Sequence, residues 1–271
     1  MIATFEIAPS PALAQYVRCY TLREFDTCGK DLIKPWHASH EISIVFFFKA
    51  QPVHLMDPQT GKIVREGHYG GVVGLGTHYN GDMVFNGTYL FFEIYFKPCG
   101  FTYLFKIPSC KVANQIIDAD DLFDSTIKHF YEELSSADGL TAMGLLADSF
   151  LINLLKKSNS INSKDKITFI SQEIIKNSGN ININKLALDA NMSFRSLERQ
   201  FIEQVGIHPK LFCCVSRFNH ALNLKLKNPN KSWTSIAFEC GFYDQMHLIK
   251  DFRRFSGYSP SHFMKESPIT E

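Results

Sequence analysis

One short pattern is written twice in this chain. Phe201, four residues, Gly206, two residues, Pro209, two residues and Phe212 are matched, 51 positions later, by Phe252, Gly257, Pro260 and Phe263 at the same spacing. Each member has a physical reading. Ser193 and Asp244 stand eight residues ahead of the two phenylalanines and carry oxygens able to accept from the free N–H groups of a helix's first turn. Leu197 with Phe201, and Leu248 with Phe252, fall on one apolar stripe of a helix. Gly206 and Gly257 suit the left-handed residue that ends a helix. Pro209 and Pro260 suit the first position of the next one, with Ser259 as a further cap. Upstream, Leu186-Ala187 matches Ile236-Ala237 at an offset of 50, so the second copy holds one extra residue in the turn before its cap. Each copy therefore predicts a short helix, a tight turn and a second capped helix, which is a helix-turn-helix. Ala187 and Ala237 are small enough to let the two helices approach. A merely packing helical repeat would need three or more copies for stability.

The rest of the chain reads differently. Its 271 residues are enough for two domains with their own cores. Up to Phe105 it is β-rich: "EISIVFFF" and "TYLFFEIYF" are apolar, β-branched and aromatic, as buried strands are. Asn86-Gly87 between two such runs predicts a two-residue hairpin. Asp57-Pro58 with Gly61 marks another turn, and "GHYGGVVGLGTH" is a glycine-punctuated β segment. A compact barrel or jelly roll with a short helix near Pro11–Val17 is expected. Leu122, Phe123, Ile127, Phe130, Tyr131 and Leu134 then fall at helical spacing, and Leu145 to Leu154 do so again after Asp138-Gly139. The expected organisation is a β-rich domain over 1–112, a helical connector over 113–158, a polar linker over 159–166 within "KKSNSINSKDK", and an all-α domain over 167–271. The fold class is α+β. "PKLFCCVSRFNHALNLKLK", 209–227, reads as one helix joining the two repeat units.

Net charge is +1 and names no partner, but its distribution is uneven. Ile181 to Glu266 carries 12 Lys/Arg against 7 Asp/Glu, whereas Met1 to Asn180 carries 16 against 19. A basic C-terminal part is compatible with nucleic acid. The seven cysteines include an adjacent pair, Cys213-Cys214, and no C-x-x-C, which fits reduced thiols rather than a disulfide framework. No basic stretch followed by an apolar one opens the sequence, and runs such as Ile44 to Phe48 are too short for a bilayer. A cytoplasmic protein with no membrane partner is expected.

The residues Leu186-Ala187, Ser193, Arg195, Leu197, Arg199, Phe201, Gly206, Pro209, Arg217, Ala221, Ile236-Ala237, Gly241-Phe242, Phe252, Gly257 and Ser259-Pro260 together resemble the DNA-binding domain of AraC/XylS-type bacterial transcription regulators. The β-rich front and helical connector are similar to that family's cupin-like β-barrel sensor. The resemblance implies a sequence-specific regulator with double-stranded DNA as partner, a small-molecule effector in the front domain, and no enzymatic role. It admits RNA polymerase and a homodimer as further partners.

On the first unit's second helix, Arg195, Glu198 and Arg199 share a face. Arginine can bind guanine bidentately and glutamate can accept from cytosine, whereas a plain solvated face would pair Glu198 with Arg195. The equivalent face of the second unit carries Met246, Ile249 and Lys250, with Gln245 and His247 beside them. Gln245 can read adenine and Met246 can meet a thymine methyl. This face is less charged, and base reading or phosphate positioning both stay open for it. The expected DNA-facing set is Ser193, Arg195, Ser196, Glu198 and Arg199, then Gln245, Met246, His247, Lys250, Arg253 and Arg254. His208 and Lys210 are further candidates for backbone contact. Asp244 serves its own helix, and Arg217 is expected to have a structural role.

His37, His40, Glu41, His54, His68 and His78 fall in the β-rich part, at spacings unlike the His-x-His of cupin metal sites. No metal, other cofactor or catalytic residue is expected. The competing reading is a cupin-like metalloenzyme with an appended DNA-binding domain. A protein-binding antagonist using the same helices is the third.

Overall fold

A computed structural model describes residues 2–49, 54–56, 63–65, 68–157 and 166–266. The chain is α+β. Its strands are β1 (Ala3–Ile7), β2 (Val17–Asp26), β3 (Leu32–Pro35), β4 (Ile42–Phe47), β5 (His54–Met56), β6 (Ile63–Arg65), β7 (Gly70–Val73), β8 (Asp82–Phe85), β9 (Thr88–Phe96) and β10 (Ile116–Asp118). They form two antiparallel sheets, ordered β1-β2-β9-β4-β7-β10 and β3-β8-β5-β6. Among the described residues no ladder joins the two, so the expected barrel is an open pair of facing sheets.

Side chains alternate across the larger sheet. Tyr20, Ile44, Phe46, Phe92 and Ile94 join the helical core, while Phe25, Val45, Tyr89 and Phe91 meet Phe85 of the smaller sheet. Glu93 is buried on that second face. It accepts from Arg23 Nη1, Ser43 Oγ and Tyr95 OH, each at 2.6 Å. A buried carboxylate held this way has its oxygens satisfied.

Three local expectations change. Asn86-Gly87 is a corner, not a hairpin: β8 pairs with β3 and β5, whereas β9 pairs with β2 and β4. Both edges of the long β9 are taken, so the turn carries the chain from one sheet to the other. Thr27 holds it, with Gly87 N donating to Thr27 Oγ1 at 2.8 Å. Residues 11–16 are a run of turns, and β2 begins at Val17. The larger sheet also takes a strand, β10, beyond the boundary expected at 112. The expected turn at Asp57-Pro58 and Gly61 lies outside the described residues.

Helices α1 (Gly100–Phe105), α2 (Ala119–Leu122), α3 (Ser125–Ser135) and α4 (Gly139–Lys157) follow, with one 3-10 turn at Ser109–Lys111. By length and composition alone α4 could cross a bilayer. One face of it packs against the larger sheet and against α1 and α3. Met143, Ala147 and Leu151 are buried, a Cβ on Gly144 would stand 2.5 Å from Ile7 Cδ1, and Asp148 accepts from Tyr20 OH at 2.7 Å.

Beyond the expected linker, which lies outside the described residues except for Lys166, come α5 (Lys166–Lys176), α6 (Ile183–Asp189), α7 (Phe194–Val205), α8 (Pro209–Lys227), α9 (Trp233–Glu239), α10 (Gln245–Ser256) and α11 (Pro260–Glu266). The joining helix α8 has the expected bounds. Phe218 at its middle meets Phe252 and Phe255 of α10 at ring distances of 5.1 and 5.4 Å. Burying each such ring stabilises by about 1.5–3 kcal/mol. Cys213 and Cys214 sit on α8, and burial pushes the Cys213 thiol up to about 12, which marks it as a packing residue.

Candidate nucleic-acid interface

Ser193 and Asp244 cap α7 and α10 as their sequence positions imply. Ser193 Oγ accepts from Ser196 N at 3.2 Å, and Asp244 Oδ1 accepts from His247 N at 2.7 Å. Leu197 and Phe201 on one helix, and Leu248 and Phe252 on the other, are buried. The opposite faces are thereby turned to solvent.

On α7, Ser193, Arg195, Ser196, Glu198, Arg199 and Ile202 line one shallow depression of about 560 Å³. Arg195 and Arg199 are exposed, and among the described residues neither makes an ion pair. Glu198 does not pair with Arg195: its Oε1 lies 3.1 Å from His208 Nδ1, just before α8. Ser196 Oγ accepts from Gln200 Nε2 at 3.0 Å. The two guanidiniums are therefore uncommitted and lie in the first half of the helix, the part that helix-turn-helix proteins insert toward base edges.

On α10 the set divides. Met246 and Lys250 are exposed, and Gln245 Oε1 accepts from Thr234 Oγ1 of α9 at 2.8 Å. His247 is turned partly inward, edge-on to Phe242 at 5.4 Å and 3.6 Å from Asp251 Oδ2. Arg253 and Arg254 sit in the last turn, some 12 Å along the axis from Gln245 at 1.5 Å per residue. There they complement the negative end of the helix dipole. Gln245, Met246 and Lys250 thus lie in the first half of α10, and Arg253 and Arg254, three and four residues beyond Lys250, continue along it into the last turn. Lys210 lies 5.9 Å over the Phe194 ring. Arg217 takes the structural place expected of it, with Nη2 donating to Gly179 O at 3.4 Å and its guanidinium 5.5 Å over Phe242.

One exposed residue escaped sequence reasoning. Met192 N donates to Ala187 O and Phe242 N to Ala237 O, both at 2.9 Å, so the two turns are in register through Phe242 at an offset of 50. Asn191 and Gly241 share the left-handed conformation, φ 50° and 70°. The extra residue of the second copy is therefore Tyr243, inserted just ahead of the cap and 92% exposed. The length difference between copies was the available signal. Leu188 and Phe238, which match at an offset of 50, are likewise exposed on the first helices of the two units.

The far ends of both helices are held by the front of the chain. Gln204 O, in the last turn of α7, is reached by the hydroxyls of Thr102 and Ser109 at 3.2 and 2.9 Å. At the end of α10, Phe255 O accepts from Ala38 N at 2.7 Å and Arg254 O from Tyr79 N at 3.3 Å. These carbonyls have no partner within their own helix, so outside donors satisfy them. The stop glycines sit at the same joints. A Cβ on Gly206 would lie 2.6 Å from Leu75 Cδ2, and one on Gly257 2.6 Å from the Tyr79 ring. His37 lies there too, edge-on to Phe218 and Phe263, and His40 faces Phe212. His68 pairs with Asp118 at 3.1 Å, and the side chain of His54 lies outside the described residues. Among the described residues no three His, Cys, Asp or Glu side chains converge as a metal site would require.

Residues 186–266 match a family described as a helix-turn-helix domain, and residues 5–118 match a domain of unknown function (DUF6597). The HTH-type transcriptional activator RhaS of Klebsiella pneumoniae (strain 342) is 37% identical over 76 residues, covering 28% of this chain and 27% of the relative. The HTH-type transcriptional regulator MtrA of Neisseria gonorrhoeae is 36% identical over 85 residues, 31% of this chain and 28% of the relative. The chain thus spans about a quarter of the length of these curated relatives. A 1.65 Å structure of ToxT from Vibrio cholerae aligns with 99% of this chain and 99% of its own at TM-score 0.53 and 10% identity, which shows a shared fold. ToxT bound to (E)-4-(8-methylnaphthalen-1-yl)but-3-enoic acid aligns with 98% of each chain at TM-score 0.50 and 11% identity. With the paired, capped helix-turn-helix units in place and this match over them, residues 186–266 form a helix-turn-helix domain similar to those of the regulators RhaS and MtrA.

Proposed function

We propose that this protein is a sequence-specific DNA-binding transcription regulator of the cytoplasm, controlled by a small organic molecule bound in its front region. The observation that carries the DNA reading is the pair Arg195 and Arg199: exposed, without an ion pair among the described residues, and presented by a helix whose other face is buried. An arginine serving stability would be expected against a carboxylate, and the nearby Glu198 is turned to His208 instead. Gln245, Met246 and Lys250 form the second reading surface. The joints between the front region and both recognition helices support control from the front, and the ToxT complex with a naphthyl butenoic acid supports a small organic effector.

The test is selection of bound sequences from a random DNA pool at fixed salt, since phosphate contacts make affinity steeply salt-dependent. The wild-type chain should enrich one site. Arg199→Ala should weaken that site by about 1–3 kcal/mol and relax preference at one base position. An unchanged preference would reduce Arg199 to a phosphate contact, and no enrichment by the wild type would defeat the reading.

A further inference from the structure

A cleft of about 480 Å³ opens between α1, the corner from α2 to α3, and the last turns of α4. Phe105, Ile107, Leu122, Phe123, Phe150 and Leu154 wall it, and all six are only half-buried. The Phe105 and Phe123 rings stand 4.9 Å apart. A space of this size and lining is typical of a small-molecule site. The charged groups on it are Lys106, Lys157 and Asp124. Asp124 is engaged as the cap of α3, accepting from Thr126 N at 2.9 Å and from the Thr126 hydroxyl. Two lysines against this one carboxylate still give the mouth of the apolar space a net positive charge.

The geometry points to this cleft as the effector site, for a molecule with a flat apolar body and one carboxylate, whose binding is relayed by α1 and the following turn to the end of α7. This rests on the regulator reading above. The body would cover the half-buried rings, and the carboxylate would stay in water beside Lys157 and Lys106. The space between the two sheets is a poorer host, because Glu93, Arg23, Ser43 and Tyr95 there already satisfy one another. The relay is short. Helix α1 supplies Phe105 to the cleft and Thr102 to the Gln204 carbonyl, and Ile107 of the cleft lies two residues before Ser109, which holds the same carbonyl. Thr102 Oγ1 and Ser109 Oγ are themselves 2.7 Å apart. The joint has no slack, as the 3.2 Å between a Cβ on Gly206 and Ser109 O shows.

The test uses the full chain with 2-naphthoate as probe and 2-naphthylmethanol as its uncharged counterpart. Naphthoate should saturate one site per chain and slow amide exchange over Gln204–Ile207. Lys157→Glu should weaken naphthoate by up to about fivefold, as expected for a rim charge, and leave naphthylmethanol unchanged. Thr126→Trp, which places an indole in the mouth from an exposed position, should abolish binding of both. Far-UV circular dichroism and melting temperature check that both variants fold. Naphthoate that does not saturate the wild type at millimolar concentration, or that binds both variants as tightly, overturns the site. Binding in the cleft with unchanged exchange at the end of α7 overturns the relay. A chain that binds naphthoate here yet selects no DNA sequence removes the regulator reading and keeps the site. One that selects DNA and binds neither probe loses the site alone.

Discussion

Gly257→Ala measures how firmly α10 is joined to the front region. Gly257 has φ 78°, where an L-residue costs about 1–2 kcal/mol. Its new Cβ would lie 2.6 Å from Cγ and Cδ1 of Tyr79, an aromatic ring packed edge-on to Tyr258 at 5.7 Å. Relieving that overlap adds about 1–3 kcal/mol, the usual range for an overpacked core. Together these give a loss of about 2–5 kcal/mol. Two controls separate the parts. Gly29→Ala has the same backbone problem, φ 73°, with nothing within 4 Å of the new Cβ, and should cost only the first part. In a Tyr79→Ala background, Gly257→Ala should fall to the same small cost, since the atoms it meets are gone. The assay is urea denaturation of the four chains of that cycle, with the coupling taken as the non-additive remainder. A coupling near zero, with Gly257→Ala no worse than Gly29→Ala, would show that the α10 joint does not exist in solution. Base preference should stay as in the wild type, because the substituted end of the helix is not the end proposed to read DNA.

Three further outcomes are expected. Two alanines inserted after the exposed Asn223 turn the second unit by about 200° and advance it about 3 Å; specific DNA affinity should collapse to weak, salt-sensitive binding, and the 2.7 Å bond from Ala38 N to Phe255 O should be lost with it. Full specific affinity in that variant would mean that one unit reads alone. His40 has a buried Nδ1 without a hydrogen-bond partner among the described residues, and burial, aided by Arg18, pushes its pKa down to about 4 from 6.5. Stability from the neutral ring is complete above pH 6.5 and is lost as pH falls through 4, by at most about 3 kcal/mol; His40→Phe should flatten that limb of the stability curve, and an identical acid limb in the variant would refute the assignment. Chelator treatment should leave melting temperature and DNA affinity unchanged, and loss of either with rescue by one divalent ion would favour the metalloenzyme reading.

What could be read from the sequence was whatever local spacing determines. Caps at Ser193 and Asp244, stops at Gly206 and Gly257 and the bounds of α8 all follow from contacts within a few residues. What depends on partners far along the chain could not be read. Asn86-Gly87 has the composition of a hairpin, but which strand lies beside β9 is decided by β2 and β4, more than forty residues away. Glu198 chose His208 over Arg195, an outcome set by how α8 leaves the turn at Gly206. Tyr243 was detectable only as a length difference, since the position of an inserted residue needs the hydrogen bonds on either side of it. The holds on α7 and α10 were invisible because they are made to main-chain carbonyls, which carry no residue identity.

That last feature bears on how such a protein can diverge. A joint built on the carbonyls of Gln204, Arg254 and Phe255 does not depend on what side chains those helices present. The residues proposed to choose a DNA site are toward the opposite end of each helix, about 18 Å long for the twelve residues of α7. On the proposed reading, substitutions that retarget the protein to a new operator would leave these main-chain joints to the front region intact, so a chain of this design could change its address while keeping its signal.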